Sequence, residues 1–286
     1  MTTLQFQRVA QGRAKSRRAW ASIAAAYLAS ALLIIPIYWL LVTSIRQPSE
    51  LQTATTLWPA NPNFEGYLSV LSDGELAHNM LNSLIYGVGA MVMALVFGAG
   101  LAYALARSEA TWTRWVLFGM LVLQTFPGIM LAIPLFVMFS QFQLVNSPWA
   151  VIIALATKTI PFTALMLRPY FQSVPVEVEH AAWLDGATRG QTLRRVVLPL
   201  TLPGLVTVSA FNFVAGWGDL LFSITLLTDQ ALQPISVGLY RYMGQYAVDW
   251  NQLMAASVIA AIPSVAVFFF AQRFLVGGTM SGATNE

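Results

Sequence analysis

The chain of 286 residues is 57% hydrophobic and only 9% charged, with a mean hydropathy of +0.64 and a net charge of +3. A soluble domain carries about 25% charged residues, so most of this surface faces lipid, and the small net charge implies no nucleic-acid partner. Cysteine is absent, which excludes disulfide frameworks, thiolate metal sites and cysteine nucleophiles; the two histidines, His78 and His180, are too far apart in sequence to suggest a metal site.

Crossing a bilayer takes about 20 apolar residues at roughly 1.5 Å each. The first 19 residues are a basic segment (Arg8, Arg13, Lys15, Arg17, Arg18) ahead of a first span at 20–44. That apolar run is longer than a signal-peptide core, so it is expected to be a retained anchor. The 45–78 segment, with Trp58-Pro-Ala-Asn-Pro-Asn63 and Tyr67, suits either interfacial aromatic anchoring or a surface for a soluble partner. Spans follow at 79–106, 113–140, 149–171, 203–227 and 252–275, with a polar island at 172–202 and a tail at 276–286. No composition shift marks a second domain, so 20–275 reads as one unit. The expected fold is an all-α integral membrane protein with six transmembrane helices.

Charge sets the orientation. With the N-terminus inside, twelve cationic residues fall on inner segments, whereas Arg46 and Arg241 alone fall outside and Lys158 lies within a span. The outer segments are acidic (Glu50, Glu65, Asp73, Glu75, Asp229, Asp249). This positive-inside bias places both termini, the 107–112 connection and the island in the cytoplasm.

Lys158 and Asp219 are the ionisable residues well inside spans. Such a group costs at least about 2.5–3.5 kcal/mol at membrane depth and usually faces a cavity or a partner. Lys158 precedes Thr159-Ile-Pro161, and Asp219 closes Gly216-Trp-Gly-Asp219, where an aromatic face beside a carboxylate suits a sugar ring and its hydroxyls. Both could line a substrate pathway; Lys158 could instead snorkel or pair with another subunit. Gln124, Asn212 and Trp217 are further pathway candidates, although polar residues in spans also bond between helices.

The island reads as a short helix, a glycine break and a second short helix. Pro175 suits a helix start, Gly186 a left-handed stop, and Thr188 with Gln191 forms a T-x-x-Q capping box. Pro199 is expected to end the second helix and Pro203 to start the next span. Ala181, Ala182 and Gly186 are small enough for a partner's backbone to approach. From spacing alone, a docking element for a soluble partner and an amphipathic loop on lipid headgroups suit the residues equally.

The run Glu177-Val-Glu179-His180-Ala181-Ala182-Trp-Leu-Asp185-Gly186-Ala187, closing at Leu198-Pro199, resembles the EAA loop of binding-protein-dependent ABC transporter permeases (E-A-A-x-x-D-G-A, then L-P). His180 stands where that pattern has glutamate, with Glu179 just ahead. The rest of the chain resembles the maltose-transporter type, the second permease of carbohydrate uptake systems. The likeness runs through Asn82-Ser83, Leu101-Ala-Tyr-Ala-Leu-Ala-Arg107, Phe211-Asn-Phe-Val-Ala-Gly-Trp-Gly-Asp219 and Gln272-Arg-Phe-Leu-Val-Gly-Gly278 with Ser281-Gly282. The resemblance implies a homologous permease partner (a heterodimer), two ATPase subunits docked on the loop and an extracytoplasmic solute-binding protein contacting 45–78 and 228–251. It also implies a sugar as cargo and a place in the cytoplasmic membrane.

The chain has no G-x-x-x-x-G-K-[ST] loop and no nucleophile or paired-carboxylate pattern, so an enzyme is not expected. No cofactor is expected in this chain; ATP and Mg would sit on the ATPase subunits. Two alternatives are a permease for glycerol-3-phosphate or another polar solute, and an ion-coupled carrier using Lys158 and Asp219.

Overall fold

The computed structural model describes residues 2–51, 56–243 and 248–280, so Ser281, Gly282 and the last residues of the expected tail lie outside it. It is almost wholly helical. Four straight helices are long and apolar enough to cross a membrane: the Ser22–Ser44 part of α1 (Thr2–Ser44), α2 (Glu75–Arg107), α5 (Pro148–Gln172) and the Trp250–Phe274 part of α11 (Trp250–Met280). Two further candidates are bent pairs. One joins α3 (Trp112–Thr125) to α4 (Gly128–Gln141) at 97°; the other joins α7 (Arg189–Leu200) to α8 (Leu202–Trp217) at 81°. The short helices α6 (Val176–Leu184), α9 (Leu221–Leu226) and α10 (Ile235–Arg241) complete the frame.

The α3–α4 bend interrupts the span expected at 113–140 and a break at Gly218 interrupts the one expected at 203–227, whereas the α7–α8 bend falls between the island and the next span. Proline disfavours helical backbone in the residue before it and offers no amide hydrogen. Phe126 is accordingly extended (φ −71°, ψ 127°) ahead of Pro127, and the helix restarts at Gly128 in a new direction. The fifth segment stops at Trp217–Gly218, and α9 begins after Asp219, whose Oδ2 accepts from the Ser223 amide (3.0 Å) and hydroxyl (3.1 Å). Pro199 does not end its helix. α7 passes through a π-turn at Leu193–Val197 and continues to Leu200, and Pro203 then sits in the first turn of α8 as expected.

α2 and α5 form the central pair, and small residues let the backbones close. A Cβ on Gly98 would lie 2.6 Å from Thr163 Cγ2, and one on Gly216 would lie 2.8 Å from the Gly87 Cα. Buried side chains gather in three zones. Tyr86, Ile152, Leu155 and Phe222 pack midway; Leu105, Leu167, Phe171 and Val197 pack toward the island; Val70, Phe213, Trp217 and Ile235 pack at the opposite end. Polar residues close the gaps, with Asn212 Nδ2 donating to Thr163 Oγ1 at 2.8 Å. α1 stands apart, its side chains from Trp20 to Leu41 mostly exposed and burial beginning at Val42. Its end is held by Asn251 Nδ2, which donates to Ser44 O (3.3 Å) and Arg46 O (2.8 Å), and by the Ser44–Tyr67 hydroxyl contact (2.7 Å).

The N-terminal end of α2 holds the loop that follows α9. Asn82 Nδ2 donates to Ala231 O (2.9 Å) and Gln233 O (3.0 Å), Tyr86 Oη to Leu232 O (2.6 Å), and Ser83 Oγ accepts from the Ile235 amide (3.0 Å). Arg241 pairs with Glu75 across the same seam.

Gly216→Val should lower the stability of the purified protein by about 1–3 kcal/mol, read as a fall in thermal midpoint. Gly100→Ala, where a Cβ meets open space, should not lower it.

Candidate functional site

The island folds as a capped pair of helices. α6 follows Pro175 and ends at Gly186 (φ +87°), where the Ala187 amide reaches Ala182 O (3.0 Å) and the Gly186 amide reaches Trp183 O (3.0 Å). These two bonds satisfy orphan carbonyls of the last turn, and glycine meets the left-handed backbone without strain. α7 then opens on the expected capping box: Thr188 Oγ1 accepts from the Gln191 amide (3.3 Å), and Gln191 Oε1 accepts from the Thr188 amide (2.9 Å).

Glu179 decides how α6 is oriented. Its side chain is 2% exposed and surrounded by donors from α2. Tyr103 Oη donates to Oε2 (2.5 Å), Arg107 Nε donates to Oε1 (2.7 Å), and Arg107 Nη2 lies 2.6 Å from Oε1 while also donating to Val174 O (2.9 Å). The Tyr103 ring packs edge-on against Phe171. A buried carboxylate is tolerable only when paired and hydrogen-bonded, and here α2 supplies all the side-chain donors. Glu179 therefore faces inward, away from the exposed side of α6.

The outward face of α6 carries Glu177, His180, Ala181, Leu184 and Asp185, all exposed, with Leu184 at 89%. Ala182, Trp183 and Ala187 are half-buried behind them. The His180 ring lies 5.1 Å from that of Trp183, and the Arg189 guanidinium lies 5.6 Å from the Trp183 ring centroid. Leu198 is half-buried and Pro199 exposed. The exposed face of α6 thus carries a protruding leucine beside small and polar residues, on a helix whose orientation Glu179 fixes.

The five pathway candidates divide. Lys158 and Gln124 are exposed, and the Gln124 amide points at Lys158 O (3.5 Å). The Lys158 ammonium lies beside Gly128, at the break between α3 and α4. Asp219 is half-buried and is not ion-paired with Lys158. Asn212 and Trp217 go elsewhere. Asn212 is buried against Thr163, and Trp217 is buried with its indole N–H donating to Ala260 O (3.0 Å) and its ring stacked on Phe213. Neither offers a face to a solute here. Tyr103 and Arg107 were not singled out for a role; the available signal was their i, i+4 spacing at the end of a span, which puts phenol and guanidinium on one helix face.

A family model described as a binding-protein-dependent transport system inner membrane component matches residues 94–279. The diacetylchitobiose uptake system permease NgcG of Streptomyces coelicolor is 32% identical over 279 residues, covering 96% of this chain and 92% of the relative. The trehalose transport system permease SugB of Mycobacterium tuberculosis is 30% identical over 254 residues, covering 88% and 92%. Among solved structures, a chain of a bacterial ABC transporter that imports alginate matches with TM-score 0.77 at 24% identity, covering 90% of this chain and 97% of that one.

Two outcomes follow from this geometry. Glu179→Ala leaves the Arg107 charge without its partner and should destabilise the protein by about 3–5 kcal/mol, whereas Leu184→Ser should leave the thermal midpoint unchanged. Because the chain has no cysteine, Lys158→Cys introduces a lone thiol. It should react with a charged, membrane-impermeant thiol reagent in cells, and Trp217→Cys should not; an inert thiol at 158 would mean that this position faces lipid.

Proposed function

Because the chain belongs to the family of binding-protein-dependent transport system inner membrane components, we propose that it is the permease subunit of an ATP-driven importer that moves a sugar across the cytoplasmic membrane. The observation that carries this is α6, a short helix with an exposed apolar tip whose orientation is fixed from within by Glu179 and Arg107. Support for a sugar comes from relatives named for diacetylchitobiose, trehalose and sulfoquinovosyl glycerol.

In this reading the bent α3–α4 pair counts as one span and α8 with the α9 that follows it as another, giving six with the four single helices. The positive-inside bias puts both termini and the 172–202 loop, α7 included, in the cytoplasm. The loop is the EAA-type coupling element, met by an ATPase subunit on the face formed by His180, Ala181, Leu184 and Asp185. The chain has no phosphate loop, so ATP and Mg belong to the two ATPase subunits. A homologous permease completes the pathway, and an extracytoplasmic binding protein delivers the solute to the outer loops.

Transport then proceeds by alternating access. Closure of the ATPase dimer displaces α6, and the Glu179–Arg107 pair passes that displacement to the inner end of α2. α2 has 33 residues and no proline, a rod of about 50 Å, and its other end carries the 231–235 loop. Movement at the cytoplasmic face thus reaches the outer mouth through one rigid element. Lys158, Gln124 and Asp219 line the pathway beside the α3–α4 break, where the ammonium and carboxylate suit hydroxyl groups.

Tagged chain extracted gently from its native membrane should co-purify with an ATPase and a second six-span protein. A chain that purifies alone and transports alone in liposomes under an ion gradient would establish the ion-coupled carrier instead. Leu184→Asp should weaken ATPase association by about 2 kcal/mol or more, as for a central interface residue, with the fold intact.

A further inference from the structure

A groove of 680 Å³ runs between α2, α8 and α11. Its walls are apolar, built from side chains such as Leu84, Val88, Phe213, Ala266 and Phe270, with two polar exceptions. Ser209 is one, and its hydroxyl is already committed to Leu205 O at 2.6 Å. The other is Arg273, exposed at the end of the groove where α11 leaves the span. Its guanidinium rests 4.9 Å from the Phe274 ring centroid, and among the described residues no carboxylate lies within ion-pair distance. The groove thus has one free charge, positive, at one end.

From Pro263 to Arg273 and Phe274, α11 contributes about 16 Å of groove length, which spans most of one bilayer leaflet. In the orientation proposed above, Arg273 lies at the cytoplasmic surface and the apolar length rises toward the midplane. Basic pockets between transmembrane helices on that side hold anionic lipid headgroups, and this volume is in the range of small-molecule sites. We infer that the groove binds an anionic phospholipid of the cytoplasmic leaflet, its phosphate on Arg273 and an acyl chain between α2, α8 and α11. The charge favours a lipid over an apolar protein segment, which would leave Arg273 unpaired at the rim.

The test is native mass spectrometry of the full-length chain titrated with phosphatidylglycerol or phosphatidylcholine of identical acyl chains. Phosphatidylglycerol should be retained about fivefold better, as expected for one surface cation. Arg273→Gln should abolish that preference, Arg273→Lys should keep it, and Ala266→Trp should reduce retention of both lipids by filling the groove. Free glycerol phosphate should not compete. Equal retention of the two lipids, or a preference unchanged in Arg273→Gln, would overturn the assignment. So would loss of the bound lipid on co-expression with the second permease, which would make the groove a subunit contact. The binding measurement stands apart from transport, so an importer reading that failed for lack of an ATPase would leave its outcome distinct.

Discussion

The arrangement of this protein depends on one carboxylate that the fold takes out of water. Glu179 sits on a short surface helix, yet its side chain is buried and receives donors from Tyr103 and Arg107 of α2. Leaving any of these groups unpartnered in a dry site costs several kcal/mol, so the helix has one rotational setting against α2. What α6 exposes follows by subtraction: with Glu179 buried, His180, Leu184 and Asp185 are exposed. Breaking the pair is costly because the charge left behind would be buried, and the pair joins the loop to α2, the longest proline-free helix among the described residues.

Rigid and bendable elements are distributed unevenly along the chain. α2 has no proline and is clasped at both ends, by Glu179 near its C-terminus and by the loop beyond α9 near its N-terminus. The sharpest changes of direction fall at Phe126–Pro127 and between α7 and α8, and helix stops again at Gly218. Lys158 and Gln124 lie by the first of those breaks and Asp219 by the last, where backbone leaves the helical path and polar groups find water or a solute more easily than in a lipid-facing stretch. Close glycine contacts, Gly87 on Gly216 and Gly98 on Thr163, bring the helices near enough for van der Waals packing, which drives helix association in lipid where the hydrophobic effect is absent.

Much of this was legible in the residues. Composition and apolar run length gave a helical membrane protein, because a bilayer imposes a minimum length on each span. Local chemistry gave the island's caps: Gly186 is left-handed and the Thr188–Gln191 box forms, since both depend on residues a few positions apart. The bends were less legible, because hydropathy registers apolarity and is blind to direction; Pro127 was the available cue. Long-range pairing was the least legible. The bond from Glu179 to Arg107 joins residues 72 positions apart, and nothing in the local pattern distinguishes a glutamate that turns inward from one that turns out. Trp217 and Asn212 show the same limit, since each found an internal partner that spacing could not reveal.

The most direct test is the transport stoichiometry of the assembled importer carrying Glu179→Gln, which keeps the side chain's shape and removes its charge. If the Glu179–Arg107 bond transmits motion from the ATPases to α2, solute moved per ATP hydrolysed should fall while the complex still assembles and still hydrolyses ATP. An unchanged ratio in an intact complex would contradict the account and reduce the pair to a fastening of the fold.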